Sequence, residues 1–240
     1  TQRPSYRQLT SNVYYANRLT LQTGNPLLKP TLAHDVSLTA SWRIVQLTAS
    51  YRQERDAVMD RTERSRIDPK VSLITYTNLD RLPLLTAFAT VTPTFGVWTP
   101  QLSAGFVKQW AEVEIDGKPV RYDRPIFRIS LNNSLRLPAG LLFTLDVRYR
   151  SKGDERNLYL TDDVWVVNMG LTRSFFSDRL SVMLRGWDVF RGEGGGAIYR
   201  SPHMESYQVD RYDSQEFELT LRYRFNAAKS KYKGTGAGTG

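Results

Sequence analysis

The sequence predicts an all-β protein: an antiparallel, up-and-down sheet of about nine to ten strands that crosses a membrane as part of a β-barrel. Three observations predict this fold. Polar and apolar residues alternate along most of the chain, short and long connections alternate between strands, and the strands are long. A tilted membrane strand needs about 9–11 residues, whereas soluble strands average about 5–6.

The alternation is clearest in EFELTLRYRF, at 216–225. Phe217, Leu219 and Leu221 are apolar, and the residues between them are polar. Because successive strand side chains point to opposite faces, this pattern predicts one apolar and one polar face. A further strand is expected at the start of the chain, ending near Tyr6. The main strands are predicted over 34–42, 45–52, 71–95, 102–110, 127–137, 141–150, 165–172, 180–184 and 216–225.

The connections between these strands fall into two classes. Tight turns are predicted after Trp42 and at 96–100, 138–140 and 177–179, whereas 53–70, 113–125, 151–163 and 191–214 are long and polar. In an up-and-down sheet, this strict alternation places all short turns at one end. Outer-membrane barrels have that asymmetry, with short periplasmic turns and long external loops. The apolar face is therefore expected to contact lipid.

Composition excludes several other classes. No stretch approaches the roughly 18 apolar residues of a membrane helix. The chain has no cysteine, so disulfides and thiolate chemistry are excluded. The net charge of +9 comes without a nucleic-acid motif, and no nucleic-acid partner is predicted. The opening TQRPSYRQLT is no signal peptide, so an exported protein would have to be processed or excised to give this piece.

Arginines recur among the Ser, Thr and Asn residues of the polar positions and predict a lumen-facing wall. A soluble antiparallel sheet with one solvated face is the alternative. Trp and Tyr near strand ends, such as Trp42, Trp165 and Trp187, are typical of interfacial girdles. The predicted lumen-facing residues are Arg128, Arg136, Arg148, Arg222 and Arg224, with Arg150 and Arg173 assigned to the same face.

Two segments carry a resemblance to a known family. RPSY, followed by GNPLLKP at 24–30, resembles the segment that precedes a descending strand in TonB-dependent receptor barrels. The closing LRYRFNAAKSKYKGTGAG at 221–238 is similar to the end of outer-membrane β-barrel proteins of Bacteroidota type. The resemblance covers essentially the whole chain, although the strands between these segments are generic.

The resemblance implies the C-terminal part of a larger barrel of about 22 strands around a plug. Residues 1–226 would be the barrel segment, and 227–240 a flexible periplasmic tail. The implied function is nutrient uptake by a TonB-dependent receptor in the bacterial outer membrane. Its implied partners are lipid and lipopolysaccharide, an unidentified nutrient ligand and, through an N-terminal region missing here, the TonB complex. Tyr223 and Phe225 resemble the terminal signal for the barrel-assembly machinery, whose physical basis would be strand addition.

Two other functions stay open at this point. A small complete barrel could be an outer-membrane protease that activates water with the His34–Asp35 pair together with Asp162 and Asp163. The second histidine, His203, lies in the last long connection. It could also be a passive porin or an adhesin. RGEGGG, at 191–196, fails as a phosphate loop because it lacks the Lys-Ser/Thr ending and a following helix. No catalytic residue, cofactor or metal ligand is predicted, and the chain is not expected to be an enzyme.

Overall fold

The computed structural model describes residues 1–65, 68, 70–202, 204–211 and 213–225. The predicted tail at 227–240 lies outside the described residues. In the described part of the chain, no helix combines the length and the apolar character that a membrane span requires.

Strands make up most of the described chain. The helical elements are α1 (Tyr6–Leu9) and a 3-10 turn (Pro138–Gly140). The strands are β1 (Val13–Asn17), β2 (Thr20–Thr23), β3 (Leu32–Trp42), β4 (Val45–Arg64), β5 (Ser72–Val91), β6 (Gln101–Gln109), β7 (Ala111–Ile115), β8 (Lys118–Tyr122), β9 (Ile126–Leu137), β10 (Leu141–Arg150), β11 (Gly153–Glu155), β12 (Leu158–Leu160), β13 (Val164–Phe175), β14 (Leu180–Trp187), β15 (Gly195–Ser201), β16 (Met204–Asp210) and β17 (Glu216–Tyr223).

Nine of these strands form the predicted meander. Each pairs antiparallel with the next, in the order β3-β4-β5-β6-β9-β10-β13-β14-β17. The β1–β2 hairpin joins this sheet through a short parallel pairing of β2 with β5. Within the described residues, β3 and β17 each pair along one edge, so the sheet is open. The predicted all-β, antiparallel fold is confirmed.

The register keeps the two faces separate across the whole meander. Leu131 on β9 lies opposite Val147 on β10, and Asn132 lies opposite Asp146. On the other side of β9, Leu131 lies opposite Leu102. The apolar face is strongly exposed: Val36 is 72% and Phe217 is 67% accessible. So large an exposed apolar surface requires a covering phase.

One amide lies within the apolar band and is hydrogen-bonded there. Asn133 shares the face of Leu131, and its Oδ1 accepts the indole N–H of Trp98 at 3.1 Å. Trp98 belongs to the β5–β6 connection and bridges to Leu135 on β9. The connection thus folds back along the strand, and the bond offsets the cost of an unpaired amide away from water.

The short turns lie at one end of the sheet, called here the turn end, and the long connections at the other, called the loop end. Arg43 and Ala139 adopt positive φ, 52° and 62°, within the tightest turns. The long connections contain more β-structure than expected. Residues 53–64 form an extended arm of β4, which pairs with an arm of β5 at 72–83. The β7–β8 hairpin lies within 113–125 apart from its first residues, β11–β12 within 151–163 and β15–β16 within 191–214.

The β7–β8 hairpin has a clear local cause. Asp116 and Gly117, with φ of 51° and 73°, join two alternating runs. An Asp-Gly pair with both φ values positive is the favoured two-residue hairpin turn. The hairpin buries Ala111 and Tyr122 against Ala57 and Leu82 of the β4–β5 arms. A compact apolar core therefore lies at the loop end.

The GNPLLKP segment docks onto the same arms. The side-chain amide of Asn25 donates to the carbonyl of Tyr76 at 2.9 Å. Asn78 accepts the backbone N–H of Lys29 and donates to the carbonyl of Asp56, at 2.9 and 2.7 Å. These bonds fix the point at which the chain enters β3, which is the structural consequence of the motif.

One expected element is wrong. The chain start does not form a strand ending near Tyr6, because residues Tyr6–Leu9 form a helical turn. Ser5 caps this turn by accepting the backbone N–H of Gln8, and the side chain of Gln8 in turn accepts the N–H of Ser5. This reciprocal capping box satisfies amides that a strand would have paired with a neighbour.

Adjacent positions on β9 test the covering of the apolar face. We expect Leu131→Arg to destabilise the barrel in lipid by about 2–4 kcal/mol, since a cation would enter hydrocarbon. Asn132→Arg, on the polar face opposite Asp146, should leave stability within about 0.5 kcal/mol. Urea unfolding in lipid vesicles measures both variants. Equal effects of the two substitutions would contradict a lipid-covered face.

Candidate ligand-binding site

A large cleft opens at the loop end. Its volume is about 1340 Å³, and its walls come from β2, the arms of β4 and β5, β7 and the β15–β16 hairpin. The arms rise above the apolar band, since apolar pairing ends near Tyr51 and Leu85 and charged residues such as Arg55 and Arg81 follow. The cleft thus lies on the side that external loops occupy in outer-membrane barrels.

A small sheet forms one side of this cleft. It contains β11, β12, β15 and β16, and is called here the loop sheet. Its strands come from two separate connections, joined by the pairing of β12 with β15, where Tyr159 lies opposite Ile198. Two connections far apart in sequence therefore fold as one unit.

One turn of the loop sheet is hydrogen-bonded to the β4 arm. This turn, Arg156 and Asn157, is called here the latch. Arg156 donates from Nη1 to the carbonyl of Val58 at 2.8 Å, and Asn157 donates from Nδ2 to the carbonyl of Asp60 at 2.6 Å. Both acceptors are backbone atoms, so the latch depends on the path of β4 more than on its side chains.

A buried glutamine holds the latch to the end of β6. Gln109 is 4% exposed and uses both ends of its amide. Its Nε2 donates to the carbonyl of Arg156 at 2.7 Å, and its Oε1 accepts the N–H of Arg156 at 2.8 Å. Arg156 has a φ of 53°, which the two bonds help to stabilise. The position of the latch is thus set from the barrel wall.

Asp154 joins the loop sheet to the end of the β7–β8 hairpin. It is 3% exposed, and its Oδ2 accepts the backbone N–H and the Nε of Arg124 at 2.9 and 3.3 Å. The guanidinium of Arg124 also lies 3.7 Å from the ring centroid of Tyr159. A buried carboxylate needs such a partner, because leaving it unpaired would cost several kcal/mol.

Tyr122 is buried at the same junction. Burial raises the pKa of its phenol, the charges of Asp154 and Glu205 raise it further, and Arg200 and Arg124 oppose the increase. The net shift is upward, so the hydroxyl keeps its proton at physiological pH. Tyr122 therefore acts as a neutral packing residue of the loop-end core.

Asp188 organises the base of the last long connection. It is 1% exposed and accepts hydrogen bonds from the N–H groups of Gly192 and Glu193, both at 2.8 Å, and from the hydroxyl of Ser214. Burial alone would raise the pKa of Asp188, but these bonds and the charge of Arg148 hold it below the usual value. The glycine-rich RGEGGG segment thus wraps around a carboxylate.

The charges of the cleft are mixed, unlike the strongly basic chain as a whole. Several arginines are already paired with neighbouring carboxylates, as in the 2.8 Å contacts of Arg61 with Glu63 and of Arg200 with Glu205. The cleft therefore suits a large polar ligand better than a simple anion. The charged residues lining it are Asp60, Asp80, Glu112, Glu114, Asp116, Arg7, Arg61, Arg81 and Arg200.

Comparison with protein families identifies the class of the chain. The profile of the outer membrane protein beta-barrel family matches residues 1–223. The chain belongs to this family. It is therefore a protein of the bacterial outer membrane, and its apolar face contacts lipid.

This outer membrane β-barrel protein has a match to a solved structure over most of its length. That structure is the outer membrane transporter YddB from Escherichia coli, with 11% sequence identity and a TM-score of 0.48. The match covers 86% of this chain and 34% of the transporter, so the chain spans about a third of the length of that protein. Comparison with curated proteins finds no significant match.

The predicted lumen-facing arginines are exposed, and four of them share the polar face of the barrel segment. Arg136 lies opposite Leu142, Arg148 opposite Ser130 and Arg222 opposite Ser181, while Arg128 lies opposite Arg150. Arg224 follows the end of β17, and its N–H donates to the carbonyl of Arg179 at 2.8 Å. A lumenal role for these five side chains stays a prediction.

Arg173 and Trp187 lie on the opposite faces from those expected. Arg173 lies opposite Leu141 and Val182, so it belongs to the apolar face. Trp187 lies opposite Glu216 and shares the polar face with Arg185. In both strands, extending the alternation of faces to the last residues assigns Arg173 to the apolar face and Trp187 to the polar face, as observed.

The last strand ends in an aromatic pair. Tyr223 lies opposite Leu180 on the apolar face, and its ring centroid is 4.7 Å from that of Phe225 in an edge-on contact. The pair is at the turn end, where aromatic girdles are found. Its part in barrel assembly stays a prediction.

The residues considered for a protease have separate structural partners. Asp35 pairs with Arg52 at 3.7 Å, and His203 lies outside the described residues. Asp162 accepts the N–H of Gly196, and Asp163 accepts that of Lys152. Five strands lie between β3 and β13 in the sheet order. Among the described residues, no group of three or more His, Cys, Asp or Glu side chains could hold a metal ion.

Three residues that organise the cleft were missed by the sequence analysis: Gln109, Asp154 and Asp188. Each lies near or beyond the loop end of an alternating run, where the sequence does not distinguish a buried polar side chain from an exposed one. Only Asp188 carries a local signal, since it precedes a glycine-rich turn whose N–H groups need an acceptor.

Asp188 gives a test of this connection. We expect Asp188→Asn to lower the free energy of local opening at 188–196 by about 1–3 kcal/mol, since a charged acceptor of three bonds is lost. Hydrogen exchange of Gly192 and Glu193 measures it. Because the pKa of Asp188 is lowered, the wild-type protection should be present above the ordinary aspartate pKa and be lost as pH falls through the lowered value. Asp213→Asn, exposed in the same connection, is the control.

Proposed function

We propose that this outer membrane β-barrel protein forms the C-terminal barrel segment of a TonB-dependent receptor that imports a nutrient. The segment contributes wall, lumenal surface and external binding loops. Family membership and outer-membrane location support the proposal, and the GNPLLKP segment, held on the β5 arm, is the motif typical of such receptors.

The observation on which the proposal rests most is the cleft. Its volume of about 1340 Å³ exceeds the roughly 300–1,000 Å³ of pockets for drug-sized molecules. It opens at the external end, and its walls are hydrogen-bonded β-structure. A preformed outward cleft of this size suits capture of a scarce, polar nutrient before passage into the barrel.

The proposed mechanism follows from this arrangement. Ligand binds between the β4–β5 arms and the loop sheet, and a plug, moved by the TonB complex from the periplasm, opens the lumen. The chain would enter the membrane through the barrel-assembly machinery, which would pair with β17 and its terminal aromatics. Lipopolysaccharide would surround the external end. The proposal gives this chain no catalytic role.

Energy coupling is the feature that separates this proposal from a passive porin. We expect deletion of the full gene to abolish growth on one candidate nutrient at limiting concentration. Removal of the TonB complex should abolish that growth to the same extent. Growth that depends on the gene but not on TonB would support a porin, and unchanged growth in both strains would contradict uptake.

The latch offers a second test. Because these 240 residues contain no cysteine, Asp60→Cys with Asn157→Cys introduces one cysteine pair within them, at the two residues that the 2.6 Å bond from Asn157 Nδ2 to the Asp60 carbonyl brings together. The cleft binds ligand without rearrangement, but we expect passage of the bound ligand into the barrel to require the loop sheet to move away from β4. The oxidised double variant should therefore lose most uptake, and reduction should restore it. Each single-cysteine variant is the control. Full uptake by the oxidised protein would show that ligand enters without movement of the latch.

A further inference from the structure

Arg173 is a cation on the lipid-facing surface of β13. The register places it between Leu141 of β10 and Val182 of β14, both on the apolar face. Its guanidinium forms no ion pair or hydrogen bond with the described part of the chain. A guanidinium facing hydrocarbon is costly unless it reaches the interface or an anion.

The side chain of Arg173 is directed toward the turn end. Its guanidinium carbon lies 4.7 Å from the ring centroid of Phe175, two residues nearer to the end of β13. Phe175 is the last residue of β13, so it lies at the interface where the strand ends. Two strand residues span about 7 Å, so Arg173 lies within that distance of the interface. The arginine therefore extends along the lipid face and carries its charge to the headgroup level, as long cationic side chains do at membrane boundaries.

The same arrangement occurs at the opposite end of the sheet. Lys108 also lies on the apolar face, opposite Leu85, and its Nζ is 5.2 Å from the ring centroid of Trp110, which is nearer the loop end. Each lipid-facing cation is thus held over an aromatic ring on the side of the closer interface.

We propose that Arg173 binds the phosphate of a phospholipid in the periplasmic leaflet of the outer membrane. The turn end is the periplasmic end by the length of its connections. A guanidinium presents a planar pair of N–H donors that matches phosphate oxygens. The ring of Phe175 fixes the guanidinium from one side, and the lipid phosphate supplies the anion that the protein does not. This site is independent of ligand uptake.

The barrel segment contains a matched control. Arg136 on β9 lies opposite Leu142 of β10, whereas Arg173 lies opposite Leu141 on the other edge of the same strand. The two arginines are therefore at nearly the same depth, on opposite faces. Arg173→Leu places an apolar residue against lipid, so a failure to fold is not expected. Arg136→Leu removes the same charge without touching the lipid surface.

The test uses the full-length protein, purified from outer membranes in a mild detergent and titrated with phosphatidylglycerol. Native mass spectrometry counts the bound lipid. We expect Arg173→Leu to weaken binding about fivefold, the size expected for one cation at an anionic surface, and Arg136→Leu to leave it unchanged. Arg173→Lys should retain most of the binding.

Four outcomes would overturn the site. If wild type and Arg173→Leu bind phosphatidylglycerol equally, Arg173 is not part of a lipid site. If Arg136→Leu loses as much binding as Arg173→Leu, the loss reflects only the overall charge of the protein. Diacylglycerol, which lacks the phosphate, should bind equally weakly to all variants; a preference for wild type would mean that the chains, not the phosphate, are recognised. Inorganic phosphate should not displace the lipid, and displacement at equal concentration would indicate a site for free anions instead.

Discussion

The antiparallel register is the constraint on which this structure depends. Because side chains alternate with a period of two, a slip of one residue between any two strands would carry polar residues to the lipid side. Leu131, Val147 and Val167 stay on one face across three strands because no slip occurs. The same unbroken register keeps Asp146 and Asn168 on the polar face, so the membrane surface and the polar surface have one common cause.

The loop end follows a different principle from the membrane band. In the membrane band, each strand buries its apolar face in lipid. At the loop end, apolar residues such as Leu82 and Tyr122 are buried against protein. The polar contacts there are backbone-directed and come from buried side chains, among them Gln109 and Asp188. A cleft walled in this way keeps its shape without ligand, which reduces the ordering cost of binding.

The meander and its two faces could be predicted from the sequence because strand alternation and connection length are local signals. The β7–β8 hairpin could have been predicted as well, since Asp116-Gly117 stands between alternating runs. The pairing of β12 with β15 could not, because nothing in either connection specifies a partner about forty residues away. The cleft depends on that pairing and on the latch. Its location could therefore not be predicted, although the long connections that form it could.

The composite origin of the loop sheet has a consequence for how such proteins diversify. Half of the sheet belongs to the connection after β10 and half to the connection after β14. Grafting either connection alone from a relative would leave an unsatisfied strand edge, whereas moving both together would carry over an intact unit. Exchange of recognition surfaces between family members should therefore proceed in pairs of connections, and a length change in one should select for a matching change in the other.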